Sequence, residues 1–263
     1  MNRLLYEEKT VVEEAVKEGK LINISLPRYI PLLCRYYLGE GFDYKETANL
    51  IKSFFSINMR DKYIPKQHDP MINRTAKDMY NKGFSPLEDV TQVRITEKEW
   101  SNILELEEET PMKIAFVLLV HLKVKLYKNP DGNNRVYTPI TDILKESGLP
   151  GTLKDKKELQ KLRRYNFIKR NLTANEEGIE LAFLDEDRYS PVKFYVTNFV
   201  NVASYFKEYY KGWAFKECPR CHKRFKYNDK KVAPTYCKVC KCQVNKEKQK
   251  AIYRKRKYGE DIE

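Results

Sequence analysis

Residues 218–240 read CPRCHKRFKYNDKKVAPTYCKVC, in which two Cys-x-x-Cys pairs are separated by fifteen residues. Each pair, Cys218 with Cys221 and Cys237 with Cys240, places two thiolates on one short turn. Two such turns supply the four sulfur ligands of a tetrahedral zinc ion, with bonds of about 2.3 Å. A module this small buries too little apolar surface to fold alone, so metal binding would supply its folding free energy. The stretch therefore predicts a zinc ribbon that holds a structural Zn²⁺ on these four cysteines.

The distribution of cysteines favours metal binding over disulfide formation. Five of the six cysteines fall between residues 218 and 242, and the sixth, Cys34, lies in an apolar stretch that predicts a buried, inert thiol. A tight cluster of reduced thiols is typical of metal ligands, whereas a redox pair would need one Cys-x-x-Cys alone. Cys242 and His222 remain alternative ligands. Four thiolates leave no open coordination position, so the ion is predicted to be structural and not catalytic.

Positive charge is concentrated at the C-terminal end of the chain. Residues 1–210 contain 33 Lys and Arg against 31 Asp and Glu, while residues 211–263 contain 17 against 6. Within the ribbon, residues 224–227 and 235–236 are the predicted strands. Residues 243–258 predict a solvated helix, or an arm that orders on binding. This polarity favours a polyanionic partner over a solubilising tail. The predicted phosphate contacts of the tail are Arg254, Lys255, Arg256 and Lys257.

Strong helix signals begin at Thr96, which forms a predicted capping box with Glu99 and opens a helix to about residue 108. Thr110-Pro111 then predicts the start of the most apolar helix, residues 112–127, on which His121 is expected to be a packed core histidine. A short helix after Thr138-Pro139 is stopped by Gly148. A basic helix follows from Leu153 to about Tyr165, and residues 167–170 and 179–183 predict a hairpin.

This order of elements is that of a winged helix-turn-helix, with the sharp turn at residues 148–151 between its second and third helices. The basic helix would enter a DNA major groove, and the first wing strand would meet phosphate. Glu176, Glu177 and Glu180 oppose phosphate contact at the hairpin tip, and a structural or protein-contact role for this region stays open. The predicted nucleic-acid contacts here are Lys154, Lys156, Lys157, Lys161, Arg163, Arg164, Lys169 and Arg170.

The whole chain is predicted to be mainly α with small β parts. Helices at 7–18, 27–38 and 44–55 make residues 1–94 a helical domain, which is a candidate surface for a protein partner or for self-association. The remaining predicted domains are a winged-helix domain (95–210), the zinc ribbon (211–242) and a basic helix or tail (243–263).

The quoted cysteine stretch, followed by KEKQKAIYRKRK, resembles the zinc-ribbon ends of many phage and prophage proteins. ITEKEWSNILELEEETPMKIAFVLLVHLKVKLY and the short helices after it are similar to the winged-helix region of phage replisome-organiser and regulatory proteins. Together the two likenesses cover about residues 95–258. They imply a DNA-associated accessory protein and identify no reaction.

The preferred function is a non-enzymatic DNA-binding factor in replication or transcription control, with DNA a more expected ligand than RNA because no RNP-type aromatic motif is present. The alternative is a module that binds a host or phage protein, with a purely structural ribbon. No phosphate-cradling glycine loop, paired-carboxylate motif or Ser/His/Asp arrangement predicts an enzyme or a small-molecule substrate. No apolar run of membrane-spanning length and no signal-peptide pattern occurs, so a cytoplasmic protein without membrane contact is expected, in the host cytoplasm if phage-encoded.

Overall fold

The computed structural model describes residues 3–19, 24–150, 153–169, 178–228 and 232–258, without the side chains of residues 153–156, 256 and 258. The chain divides into two compact units, Asn2–Val90 and Thr91–Glu263. The predicted fold class, mainly α with small β parts, is confirmed, because the described strands form only short antiparallel pairs beside long helices.

Helices build the described part of the first unit. Asp43 caps one of them through a capping box with Glu46, which fixes where that helix begins. Tyr29 and Phe55 are fully buried in the core. Cys34 is buried there too, and loss of solvation raises the pKa of its thiol to about 12, as predicted for an inert cysteine. The helices are α1 (Arg3–Tyr6), α2 (Glu8–Glu18), α3 (Leu26–Gly39), α4 (Tyr44–Asn58) and α5 (Pro65–Lys82).

The second unit opens with strand β1 (Val93–Thr96), helix α6 (Glu97–Leu104) and helix α7 (Glu109–Lys128). The predicted capping box at Thr96 is confirmed, because its hydroxyl accepts from the Glu99 amide at 3.2 Å and the Glu99 carboxylate accepts from the Thr96 amide at 2.9 Å. The predicted cap at Thr110 is wrong: the carbonyl of Glu108 accepts from the Met112 amide, so α7 begins earlier, at Glu109.

Two helices between two short paired strands follow. They are β2 (Arg135–Val136), α8 (Ile140–Glu146), α9 (Leu153–Arg164) and β3 (Ile179–Glu180). Gly148 ends α8 as predicted: its φ is +78°, and the next amide, that of Leu149, returns to the Leu144 carbonyl at 2.9 Å.

The predicted pairing of residues 167–170 with 179–183 is confirmed within the described residues: the amide of Lys169 donates to the Glu180 carbonyl at 3.1 Å, and the amide of Ala182 donates to the Phe167 carbonyl at 3.0 Å. A second partner of this segment was not predicted. Strand β3 pairs with β2, a strand that the sequence did not indicate. The residues after α9 reach it through one described bridge, between Ile168 and Leu181. Strand β2 follows α7 in the chain, and the length of α7 brings β2 beside β3.

A further strand follows the segments of the predicted hairpin in the sequence. This strand, β4 (Val192–Val196), pairs antiparallel with β1, the strand that precedes α6 in the sequence. Behind the β1–β4 pair lies helix α10 (Ala203–Lys211). Phe194 of β4 stacks on Tyr209 of α10 with 3.7 Å between ring centroids. This aromatic contact holds α10 in place beneath the C-terminal module.

The C-terminal module contains strands β5 (Phe215–Glu217) and β6 (Arg224–Lys226) and helix α11 (Lys238–Tyr258). The prediction that residues 224–227 pair with residues 235–236 is wrong. Strand β6 instead pairs with β5, because the first Cys-x-x-Cys turn reverses the chain between them. None of the described helices combines the length and apolar content needed to cross a bilayer.

Candidate metal centre and nucleic-acid interface

Four cysteine side chains converge between the two strands of the ribbon and the start of α11. Cys218 and Cys221 lie on the turn after β5, Cys237 precedes α11, and Cys240 lies in its first turn. Their sulfur atoms all lie within 4.8 Å of one another. The Sγ atoms of Cys221 and Cys237 are 3.8 Å apart, which matches the edge, about 3.8 Å, of a tetrahedron with 2.3 Å metal–sulfur bonds. The four cysteines can therefore hold one metal ion.

The backbone around the first pair is arranged for this geometry. The amide of Cys218 donates to the Lys223 carbonyl at 3.1 Å, and the amide of His222 donates to the Cys218 carbonyl at 2.9 Å. His222 has a positive φ of 56°, which reverses the chain directly after Cys221. In the second pair, the amide of Cys240 donates to Sγ of Cys237 at 3.5 Å. Such amide donors orient thiolates toward a shared centre.

The thiols have unequal proton affinities. For Cys218, burial opposes ionisation, but hydrogen bonds from the amides of Cys237, Cys221 and Arg220 outweigh it and lower the pKa to about 6. For Cys240, burial and the neighbouring sulfurs raise the pKa to about 12. Close thiolates repel one another, so a cation is needed before all four can be ionised together. The donor set thus fits a divalent ion with a preference for sulfur.

The two alternative ligands lie outside this cluster. Cys242 is exposed and is not among the converging sulfurs. His222 directs Nδ1 to Oε1 of Glu217 at 3.0 Å. The structure therefore brings together Cys218, Cys221, Cys237 and Cys240, the set predicted from spacing.

The ribbon is fastened to α10 and its preceding loop. The side-chain Nδ2 of Asn198 donates to the His222 carbonyl at 2.6 Å. The guanidinium of Arg224 lies 3.8 Å from the ring centroid of Tyr205 and forms an ion pair with Glu208. These contacts make the ribbon part of the second compact unit.

Helix α9 presents a cationic face to solvent. Leu159 and Leu162 are buried against the core, while Lys157, Arg163 and Arg164 are exposed. Lys157 and Arg164, seven residues apart, lie on the side of α9 opposite its apolar anchors, and Arg163 lies at the edge of the anchored face. Lys154 and Lys156 belong to the same helix, but their side chains lie outside the described residues.

Lys161 differs from its neighbours on α9. Its ammonium lies 2.6 Å from a carboxylate oxygen of Glu108 and 3.1 Å from one of Glu158. The hydrogen bond to Glu108 is the largest of the causes that raise its pKa. The Lys161 ammonium is therefore neutralised by an ion pair that connects α9 to the start of α7.

The wing and the tail contribute further predicted contacts. Lys169 is exposed and lies 4.0 Å from a carboxylate oxygen of Glu180, while Arg170 lies outside the described residues. The predicted C-terminal helix is confirmed and begins earlier, inside the second cysteine pair. Its cationic end exposes Arg254, Lys255 and Lys257, and the side chain of Arg256 is not among those described.

The structure adds a cationic group that the sequence did not reveal. Trp213 lies near the start of the predicted zinc-ribbon domain, and the ammonium groups of Lys207, Lys211 and Lys226 all lie within 6 Å of the centroid of its indole ring. Lys207 and Lys211 lie within six residues of Trp213, which is a local signal, whereas Lys226 arrives through the β5–β6 pairing.

Comparison of the chain with protein-family models, with curated proteins and with solved structures found no match. The function of the protein is therefore inferred from the geometry of the metal centre and of the cationic surfaces.

Proposed function

We propose that this protein is a non-enzymatic DNA-binding factor of the phage replication or transcription type, with a winged helix that reads duplex DNA. The observation that carries the proposal is α9. It follows α8 after a short turn, it is anchored by Leu159 and Leu162, and it exposes Lys157, Arg163 and Arg164. We assign it as the third helix of a winged helix-turn-helix. A helix in this topological position can enter the major groove, where arginine reads guanine and both arginine and lysine bind phosphate.

The bound ion in this proposal is Zn²⁺. Four cysteine sulfurs in tetrahedral arrangement favour zinc among the common divalent ions, and they leave no coordination position for substrate or water. The ion supplies folding free energy to the ribbon. Cys218, Cys221, Cys237 and Cys240 hold it, and α11, which contains Cys240, is positioned by it.

Helix α11 and the exposed residues of its end would contact the phosphate backbone. Such contacts are independent of sequence, and they add affinity that falls with rising salt. Base contacts from α9 would supply the specificity. DNA is preferred to RNA as the ligand because the major groove of A-form RNA is too narrow and deep for a helix.

The direct test is fluorescence anisotropy of a labelled duplex titrated with the full-length, metal-loaded protein at several salt concentrations. We expect measurable binding at about 50 mM salt and a linear fall of log affinity with log salt. Replacing Arg163 and Arg164 together with alanine should weaken binding by at least about tenfold and reduce the salt slope by about 2.

A matched control removes two charges elsewhere. Arg74 and Lys77 are exposed on α5, in the other compact unit. Their double alanine variant should change duplex affinity by less than about twofold, apart from a small effect of net charge. Absence of duplex binding by the parent protein at 50 mM salt, or equal losses in both double variants, would reject DNA reading by α9.

A further inference from the structure

The cationic group around Trp213 takes no part in the metal centre or in the exposed face of α9. Trp213 is half-buried between α10 and β5. The ammonium nitrogens lie 3.3 Å (Lys226), 5.4 Å (Lys211) and 5.9 Å (Lys207) from the ring centroid. A shallow pocket of about 510 Å³ opens beside the indole and includes Lys226 and Tyr227 in its wall. Its volume is within the range of pockets that hold small ligands.

Positive charge at this place exceeds the negative charge that faces it. Glu109 binds both Lys113 and Lys211, each at 2.6 Å. Among the described residues, no carboxylate lies within ion-pair distance of Lys207 or Lys226. Burial, and then the charge of neighbouring Lys113, lower the pKa of Lys207, with Lys211 and Lys226 adding to the effect. An anion placed here would relieve this repulsion.

The group also lies near α8 and α9. Adjacent residues at the start of α7 connect them, because Glu108 binds Lys161 of α9 while Glu109 binds Lys211 of α10. Lys207 moreover lines a pocket of about 260 Å³ together with Gly148, the residue that ends α8. The acidic start of α7 therefore lies between the cationic group and α9, and each side contributes a lysine to it.

We propose that Trp213, Lys207 and Lys226 form a subsite for an unpaired nucleotide of single-stranded DNA, with the indole stacking on the base and the two ammonium groups binding the flanking phosphates. This subsite extends the DNA-binding function proposed above and rests on it. The exposed Lys226 side chain is long enough to leave the ring face for a phosphate when a base arrives.

Single-stranded DNA fits these residues better than two other polyanions. A base inside a duplex is covered on both faces by its neighbours and cannot stack on an indole, whereas an unpaired base offers its face freely. An acidic peptide would satisfy the lysines but would offer the indole no planar partner. The combination of an accessible indole with unpaired ammonium groups is the arrangement that binds single strands in general.

The test measures anisotropy of a labelled sixteen-nucleotide oligo-dT with the full-length, metal-loaded protein, and of a duplex of equal length in parallel. Replacing Trp213 with alanine should weaken oligo-dT binding by about 5- to 150-fold, the range for one stacked base, and Trp213→Phe should recover part of the loss. The Lys207→Ala/Lys226→Ala variant should weaken oligo-dT binding and flatten its salt dependence, whereas the Arg74→Ala/Lys77→Ala control should not.

A spectroscopic readout in the unmodified protein makes the test independent of whether variants fold. Trp100 is buried in the core, so oligo-dT should quench the fluorescence of Trp213 selectively. Metal content and unfolding temperature of each variant identify any loss that comes from unfolding.

The outcomes separate this subsite from the proposed function. Duplex binding with no quenching by oligo-dT, and with affinity unchanged in Trp213→Phe and the lysine variant, would overturn the subsite and leave duplex reading intact. Quenching and Trp213-dependent oligo-dT binding without duplex binding would support the subsite and reject duplex reading. Displacement of oligo-dT by a poly-glutamate peptide of similar affinity would assign the surface to an acidic protein and overturn the subsite.

Discussion

Replacing Cys218 with serine should release helix α11 from the rest of the protein. Among the described side chains of this 21-residue helix, Cys240 is the one that is buried. An additional attachment, between Arg220 and Glu247 at 2.6 Å, is an exposed ion pair, and such pairs contribute little. The position of α11 therefore depends on metal–sulfur bonds, and structural zinc sites contribute on the order of 10–16 kcal/mol in isolated finger peptides.

The expected magnitude follows from the length of α11. A solvated helix of this length with few apolar residues is only marginally stable when it is detached. Loss of the ion should therefore remove the far-ultraviolet circular dichroism signal of up to 21 helical residues, while the other helices of the protein persist. Trypsin should then cleave within 238–258 much faster, because the lysines and arginines there become accessible in an unfolded chain.

The assay combines elemental analysis, circular dichroism and limited trypsin digestion. Unmodified protein should contain one ion per chain, and Cys218→Ser should lose it or bind it far more weakly. Cys242→Ser is the matched control, because Cys242 is exposed and lies outside the sulfur cluster. A Cys218→Ser protein that keeps a full ion, unchanged dichroism and the trypsin resistance of the parent would refute the reasoning.

Two further predictions concern buried charges of the second unit. Lys123→Met should lower the free energy of unfolding, measured by urea titration, by about 3–5 kcal/mol, because it leaves the fully buried Glu99 carboxylate without the ammonium group now 2.6 Å away. A double variant that also carries Glu99→Gln should be more stable than the Lys123→Met variant. Equal stability of the Lys123→Met variant and the parent would contradict this account. Burial raises the pKa of Glu146, but the hydrogen bond from His121 at 2.7 Å outweighs it, and the pKa lies below its usual 4.5. The Glu146 carboxylate therefore stabilises the fold above pH 4.5 and loses this contribution as the pH falls through its folded-state pKa. Unfolding midpoints compared between the parent and Glu146→Gln should therefore converge as the pH is lowered from about 5, and a constant difference would argue against the interaction.

Several features of the fold and site were determined locally by the sequence. The Cys-x-x-Cys spacing identified all four converging sulfurs, and the Thr96–Glu99 capping box identified the start of α6. Gly148 was identified as the end of α8 for the same reason: caps and turns depend on residues within a few positions of each other. Long apolar periodicity likewise located the buried helix α7.

Tertiary structure alone decided how the short strands pair and which cations meet. Strand β1 joins β4 through partners such as Val93 and Val196, about a hundred residues apart, and strands of two to five residues have too little periodicity to reveal such partners. The β5–β6 pairing similarly brings Lys226 onto the indole of Trp213, and the ion pair to Glu108 withdraws Lys161 from the cationic face of α9. The sequence determines which side chains carry a charge. Whether that charge is neutralised depends on which distant element the fold places beside it.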